Sequence, residues 1–286
     1  MSDSTHATLR ADVSKFEQMI RESALDGKTS HDDIYLNILD DEVQVLQMAH
    51  GEVVLSYCSF YDDYFKEISL EREVREMTGT DNNGNDFTYE VGAEAIFNVD
   101  NTLTRLEHAS TGGTVELSVT GSDERRLSSY VRANGALKAW TNLPGSQNTL
   151  DNVPHWLPDR FNSENKYTNT AGDEAPTQIE TSVANVQQII QAVNDDANVE
   201  FYPVTVEDGE FTIDIGEEDG SGVEGVLSAQ NVKGPDVENY YFDGFEEIFK
   251  VIGGPIELQT APGGNPLAVV QDEGDGRVIR HVNGSV

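Results

Sequence analysis

Cysteine is almost absent from this 286-residue chain, and Cys58 is the only one. No intrachain disulfide can form, so the fold must rest on packing and hydrogen bonds without a covalent staple. Cys58 lies in the apolar run VVLSYCSF with no basic neighbour to lower its pKa, so a buried, inert thiol is expected. Long hydrophobic runs are missing as well. Nothing approaches the roughly 18 consecutive apolar residues of a membrane helix. The N-terminal MSDSTHATLRADV has no apolar stretch of the secretory kind. An intracellular, cytoplasmic protein with no membrane partner is the expectation.

Positive charge is the third scarcity. Lys and Arg number 18 against 52 Asp and Glu, a net charge of −34. Such a surface repels itself in dilute buffer. At 1 M salt the Debye length shrinks to about 3 Å and the repulsion largely disappears. The carboxylates are spread from Asp3 to Asp275, which reads as adaptation of the whole surface to high salt, as in a halophilic archaeal cell or its virus. An acidic mimic of DNA would concentrate them on one face. Charge alone does not exclude a nucleic-acid partner.

Signatures of chemistry are also lacking. There is no phosphate-cradling glycine loop of P-loop or dinucleotide type and no G-x-S-x-G elbow. The histidines, His6, His31, His50, His108, His155 and His281, are scattered, with no close pair at metal-ligand spacing. Asp81 to Asp86 (DNNGND) begins like a calcium loop. Its sixth position is Asp86 where glycine is needed, and its twelfth is Gly92 where glutamate is needed. It reads as a turn in an exposed insertion, roughly Glu71 to Asp86. No enzyme, cofactor or metal site is expected.

What is present is one supersecondary pattern written twice. In the first half Ser14 and Glu17 have capping-box spacing, and Phe16, Met19, Ile20 and Ala24 fall on one helical face. Asp33 to Leu39 (DIYLNIL) and Val43 to Val45 alternate as two strands around the turn LDDEV, and VVLSYCSF makes a third. In the second half Ser182 caps a helix with Val183, Val186, Ile189, Ile190 and Val193 inward. Val204 and Val206, then Asp208-Gly209, then Phe211, Ile213 and Ile215 form a strong hairpin signal. VEGVLSAQ then stands where VVLSYCSF stood. Each half has a second helix: VDNTLTRLEHAS with Asp100 at its cap, and DGFEEIFKVIGG with Asp243 and Glu246 as a capping box. More strands follow: TVELSVTG and LSSYVRANGALKAW in one half, PIELQT and NPLAVVQ in the other. The expected class is α+β, with domains at 1–140 and 178–286. The Pro-, Asn- and Ser-rich connector at 141–177 carries Val153, Trp156, Leu157 and Phe161, too apolar for an idle linker.

Two tandem helix-and-sheet units joined by one long connector resemble a sliding clamp of the PCNA type, the processivity factor of archaea and eukaryotes. EVVLSYCSFYDDYF resembles the clamp strand running from the partner pocket to the rim, and GGNPLAVVQDEGDGRVIRHV resembles the family's closing strands. The resemblance covers nearly the whole chain. It implies a homotrimeric ring around duplex DNA, helices inside and sheets outside. Such a ring tethers DNA polymerase and other proteins with clamp-binding peptides, is opened by a clamp loader, and does no chemistry of its own.

Three surfaces follow from the resemblance. Lys15, Arg21, Arg105, His108 and Lys250 would face DNA, although carboxylates accompany them and Gln187, Gln188 and Gln191 stand where basic residues are expected. A solvated helix face accounts for these residues about as well. Val53, Leu55, Val153, Trp156, Leu157, Pro266 and Leu267 would line the partner-peptide pocket, with ordinary core packing the competing reading for Val53 and Leu55. Tyr130 and Val131 of one subunit would pair with Val226 and Leu227 of the next, unless these are plain sheet residues. The chain departs from the family in its few basic helix residues, its enlarged connector and a last strand without the usual Ala-Pro pair. The alternative is therefore a clamp-fold protein that does not encircle DNA alone: a decoy for clamp-binding partners or a subunit of a mixed ring.

Overall fold

The computed structural model describes residues 4–25, 33–49, 54–81, 84–107, 113–121, 128–134, 139–143, 153–194, 201–216, 222–227, 231–242 and 244–285. It divides into two compact units. The first comprises residues 1–48, 56–158 and 274–278, and the second 49–55, 159–273 and 279–286.

The first half runs β1 (Ser4–Asp12), α1 (Val13–Ser23), β2 (Asp33–Ile38), β3 (Glu42–Ala49), β4 (Val54–Tyr61) and β5 (Glu67–Leu70). After β6 (Arg75–Thr80) and β7 (Asp86–Val91) come β8 (Ala93–Asn98), α2 (Val99–Glu107), β9 (Thr114–Gly121), β10 (Ser128–Asn134) and β11 (Ala139–Leu143). The second half runs β12 (Thr177–Ser182), α3 (Val183–Asn194), β13 (Phe201–Glu207), β14 (Glu210–Gly216), β15 (Gly222–Leu227) and β16 (Asn231–Lys233). It closes with β17 (Val237–Phe242), α4 (Gly244–Val251), β18 (Pro255–Thr260), β19 (Leu267–Asp272) and β20 (Arg277–Asn283). Apart from β6 and β7 the two lists match element for element. The neighbour orders match too: β11-β10-β9-β1-β5 corresponds to β20-β19-β18-β12-β16, and β8-β2-β3-β4 to β17-β13-β14-β15. The doubling read from the sequence is thus a doubling of topology.

Local chemistry explains most elements. The β13–β14 hairpin turns at Asp208 (φ 53°) and Gly209 (φ 84°), both left-handed, and pairs Val204 with Ile213 and Val206 with Phe211. That geometry matches the twist of the flanking strands. Helix α3 is capped as expected, Ser182 Oγ accepting the Asn185 N–H at 3.4 Å. Its Val183, Val186, Ile189 and Ile190 are buried. Ile189 packs so closely on β15 that a Cβ at Gly225 would lie 2.1 Å from its Cγ2. On α4, Phe245, Ile248 and Phe249 are fully buried, each contributing about 1.5–3 kcal/mol. Phe245 meets Tyr202, Tyr241 and Phe249 at ring separations of 5.2, 6.3 and 4.9 Å.

Several sequence expectations require correction. Helix α1 begins at Val13 behind Asp12, which makes no side-chain cap bond. Ser14 and Glu17 therefore lie inside the helix, and Glu17 bonds Arg21 instead of capping. Helix α2 is capped by Asn98, whose Oδ1 accepts the Asn101 N–H at 2.9 Å, rather than by Asp100. Asp243 lies outside the described residues. Strand β2 is buried on both faces rather than alternating. The stretch Glu71–Asp86, expected to be irregular, contains β6 and opens β7, a hairpin with Met77 opposite Tyr89 and Gly79 opposite Phe87. Thr141–Leu143 belong to β11 and Thr177 to β12. Cys58 is buried, as expected.

Candidate functional sites

The helix faces come first. Lys15 does not stand out from α1: its Nζ donates to the Tyr64 carbonyl at 2.9 Å and lies 4.7 Å from the Tyr64 ring centre. Arg21 is held by Glu17, one turn earlier, at 3.0 Å. Lys250 is flanked on α4 by Glu246 and by Glu247, the latter at 3.1 Å. Glu22, also on α1, is buried and paired with Arg277. Burial pushes its pKa up, against the pull of Arg277. Among the described side chains of α3 the exposed ones are Ala184, Gln188, Gln191 and Ala192, and those of Val193 and Asn194 lie outside the described residues. The Arg105 side chain and His108 lie outside the described residues.

A second site lies in the second unit. Tyr167, Ala175, Pro176, Ala261 and Pro266 form its apolar lining, with Asn169, Asp173, Glu174, Thr260 and Asn265 around them, in a cavity of about 130 Å³. One wall is the loop before β19. Buried Asn239 holds it, donating from Nδ2 to the Ala261 carbonyl and accepting the Gly264 N–H on Oδ1, both at 2.9 Å. Thr260 Oγ1 bonds Tyr241 Oη at 2.7 Å and donates to the Pro266 carbonyl at 3.1 Å. The facing wall belongs to the connector. Lys166 Nζ sits 2.6 and 2.7 Å from the two Glu257 carboxylate oxygens, and Gln259 Nε2 donates to the Asn165 carbonyl at 3.1 Å. Arg280 Nε donates to Asn165 Oδ1 at 3.1 Å, and its guanidinium lies 5.7 Å from the Phe161 ring centre. Polar bonds made by buried or half-buried groups fix both walls, so the cavity is pre-shaped.

Of the seven residues proposed for a partner pocket, only Pro266 lines this cavity. Leu267 is fully buried core, and Leu55 is half-buried on β4. Leu157 is buried, and Val153 and Trp156 half-buried, in the first unit. Val53 lies outside the described residues. Beside Trp156, His155 stacks on Tyr89 at 4.2 Å and meets Tyr35 edge-on at 5.3 Å. Burial there lowers its pKa to about 4. Sequence reasoning missed Tyr167, Ala175 and Pro176. Their signal was weak: an aromatic and a proline scattered through a polar connector.

The third feature is the pair of sheet ends. Among the described residues β15 pairs only with β14, and Val226 on it is 51% exposed. Tyr130 and Val131 lie on β10, which β9 and β11 already flank. The outer strand of that sheet is therefore β11, not β10. Side chains of Tyr130, Val131 and Leu227 lie outside the described residues. In the doubled topology β11 and β15 hold the places of β20 and β4. The end of β4 and the start of β20 meet inside the first unit, where the Tyr61 N–H donates to the Gly276 carbonyl at 2.8 Å.

No protein-family model and no curated protein matches the sequence. Solved structures match end to end. PCNA from Thermococcus kodakaraensis aligns at TM-score 0.67 and 13% identity, covering 98% of this chain and 100% of that one. The chain has the PCNA clamp fold. A PCNA2–PCNA3 complex from Sulfolobus tokodaii aligns at TM-score 0.67 and 15% identity over 97% of this chain and 98% of that chain. PCNA from A. fulgidus, bound to the C-terminal region of FEN-1, aligns at 0.65 and 12% over 98% of each. In clamp-fold terms the two halves are the repeated unit, and the β6–β7 hairpin has no counterpart among the described residues of the second half.

Proposed function

We propose that this protein is a sliding clamp: three copies close into a ring around duplex DNA and tether DNA polymerase, nucleases and other replication and repair proteins. The observation that carries the reading is the doubled topology with its two matching sheet ends. Within the chain, the places of β4 and β20 are joined. The same antiparallel pairing between β15 of one copy and β11 of the next would repeat that joint and leave no free strand edge. Three copies would then supply the repeated, curved units a ring needs. Partner peptides would seat an apolar side chain in the cavity between the connector and the Ala261–Pro266 loop. Nothing in this mechanism calls for catalysis. Among the described residues no three His, Cys, Asp or Glu gather to hold a metal, and no helix is long and apolar enough to cross a membrane.

The net charge of −34 belongs to the same proposal as an adaptation to concentrated salt in the cytoplasm. The test is absolute mass by light scattering after size separation, in multimolar KCl and in dilute buffer. A three-subunit mass in high salt that dissociates on dilution supports the ring. A monomer at every salt concentration overturns it.

A further inference from the structure

Among the described residues four helices carry Lys15, Arg21, Arg105 and Lys250 against Glu17, Glu22, Asp100, Glu107, Glu246 and Glu247, a net charge of −2. Cations normally give a DNA-binding surface its grip by displacing counterions from phosphates. Three of these four are already engaged within the chain. Lys15 is turned onto the Tyr64 carbonyl and ring, Arg21 is paired with Glu17, and Lys250 sits between two carboxylates. The Arg21 site is thus neutral and the Lys250 site carries −1. A phosphate arriving at either gains almost nothing, because the charge it would neutralise is already neutralised.

We propose that Glu17, Glu246 and Glu247 are an intramolecular lock that makes the helix faces indifferent to DNA phosphate. The lock rests on the clamp reading only for the claim that these faces meet DNA. It is weak in energy, each exposed i,i+4 or i,i+3 pair being worth only a few tenths of a kcal/mol. Its effect is on charge rather than stability. A ring built this way holds DNA by closure alone, and its retention does not depend on salt through phosphate contacts.

The test is binding of a short linear duplex to the full chain, followed by fluorescence anisotropy across a salt series. The wild type is compared with the Glu17→Gln/Glu246→Gln/Glu247→Gln variant. Glutamine keeps the side-chain volume and leaves an amide oxygen to accept the Tyr202 hydroxyl, which now bonds Glu246 at 3.0 Å. The wild type should show a slope of log affinity against log salt no steeper than that of one phosphate contact per chain. Freeing two cations per chain should steepen it by about 1.8 for each chain on the duplex, so that a fourfold rise in salt weakens the variant at least about tenfold more than the wild type. A wild-type slope as steep as the variant's overturns the proposal, as does a variant slope no steeper than wild type. The Glu246→Gln/Glu247→Gln variant alone should give half the effect, which covers a folding failure on α1. Arg21→Gln/Lys250→Gln should bind like wild type, and a tenfold loss there would also refute the lock. A linear duplex needs no ring, so the masses of the same samples judge the clamp reading separately.

Discussion

Acidification should unfasten the first unit through one residue, His155. Its ring is held between Tyr89, stacked at 4.2 Å, and Tyr35, edge-on at 5.3 Å, whose hydroxyl bonds Glu94 at 2.9 Å. Burial disfavours the charged imidazolium and sets the folded pKa at about 4, against 6.5 in the unfolded chain. Between those values the unfolded chain takes up a proton that the folded chain refuses, so stability falls as pH falls. The full gap is worth about 3 kcal/mol, and about 2 kcal/mol of it is lost by pH 5. Both tryptophans, Trp140 and Trp156, lie in the first unit, so their fluorescence follows that unit during urea unfolding. The many carboxylates also titrate in this range, so the quantity to read is a difference. Wild type and His155→Phe are each compared between pH 7.5 and pH 5 at constant high salt. The phenyl ring keeps the stacking and cannot bind a proton. The wild type should lose about 2 kcal/mol more than the variant. Parallel losses, within about 0.5 kcal/mol of each other, would refute the assignment of the depressed pKa to this site.

Other consequences can be measured in the same way. Glu22→Ala removes one buried carboxylate partner of Arg277, which keeps Asp275, and should cost about 1–3 kcal/mol of the first unit's stability in urea unfolding. Gly225→Ala drives a Cβ onto Ile189 and should destabilise the second unit by about 1–3 kcal/mol. Combining it with Ile189→Ala should then cost less than the sum of the two single changes in a double-mutant cycle. Asn239→Ala strips the Ala261–Pro266 loop of its buried anchor and should cost about 1–3 kcal/mol of thermal stability, read by calorimetry.

Much of this fold is legible in one dimension because the relevant forces are local. Asp208-Gly209 makes a left-handed turn wherever it occurs between alternating strands. The stripes on α3 and α4 need only a 3.6-residue period to show which side faces the core. Repetition of those local patterns was enough to identify the doubled unit. Helix starts were less legible, since a cap depends on where the preceding strand ends. Val13 could enter α1 because β1 delivers the chain there, with the Val13 N–H bonded to the Gly113 carbonyl at 3.1 Å, which left Glu17 free to pair with Arg21.

The sites divide along the same line. Composition by itself determined the acidic surface, the scarcity of cations and the absence of a covalent staple, because each is a count. Which strand ends a sheet, and which connector residue meets which loop, are matters of register between segments far apart in sequence. Lys166 meets Glu257, and Asn165 meets Arg280, across 91 and 115 residues. No periodicity encodes such pairings. Only the tertiary structure, by packing the connector on the sheet of the second unit, decided that Tyr167 and Pro176 rather than Val153 and Leu157 stand opposite Pro266.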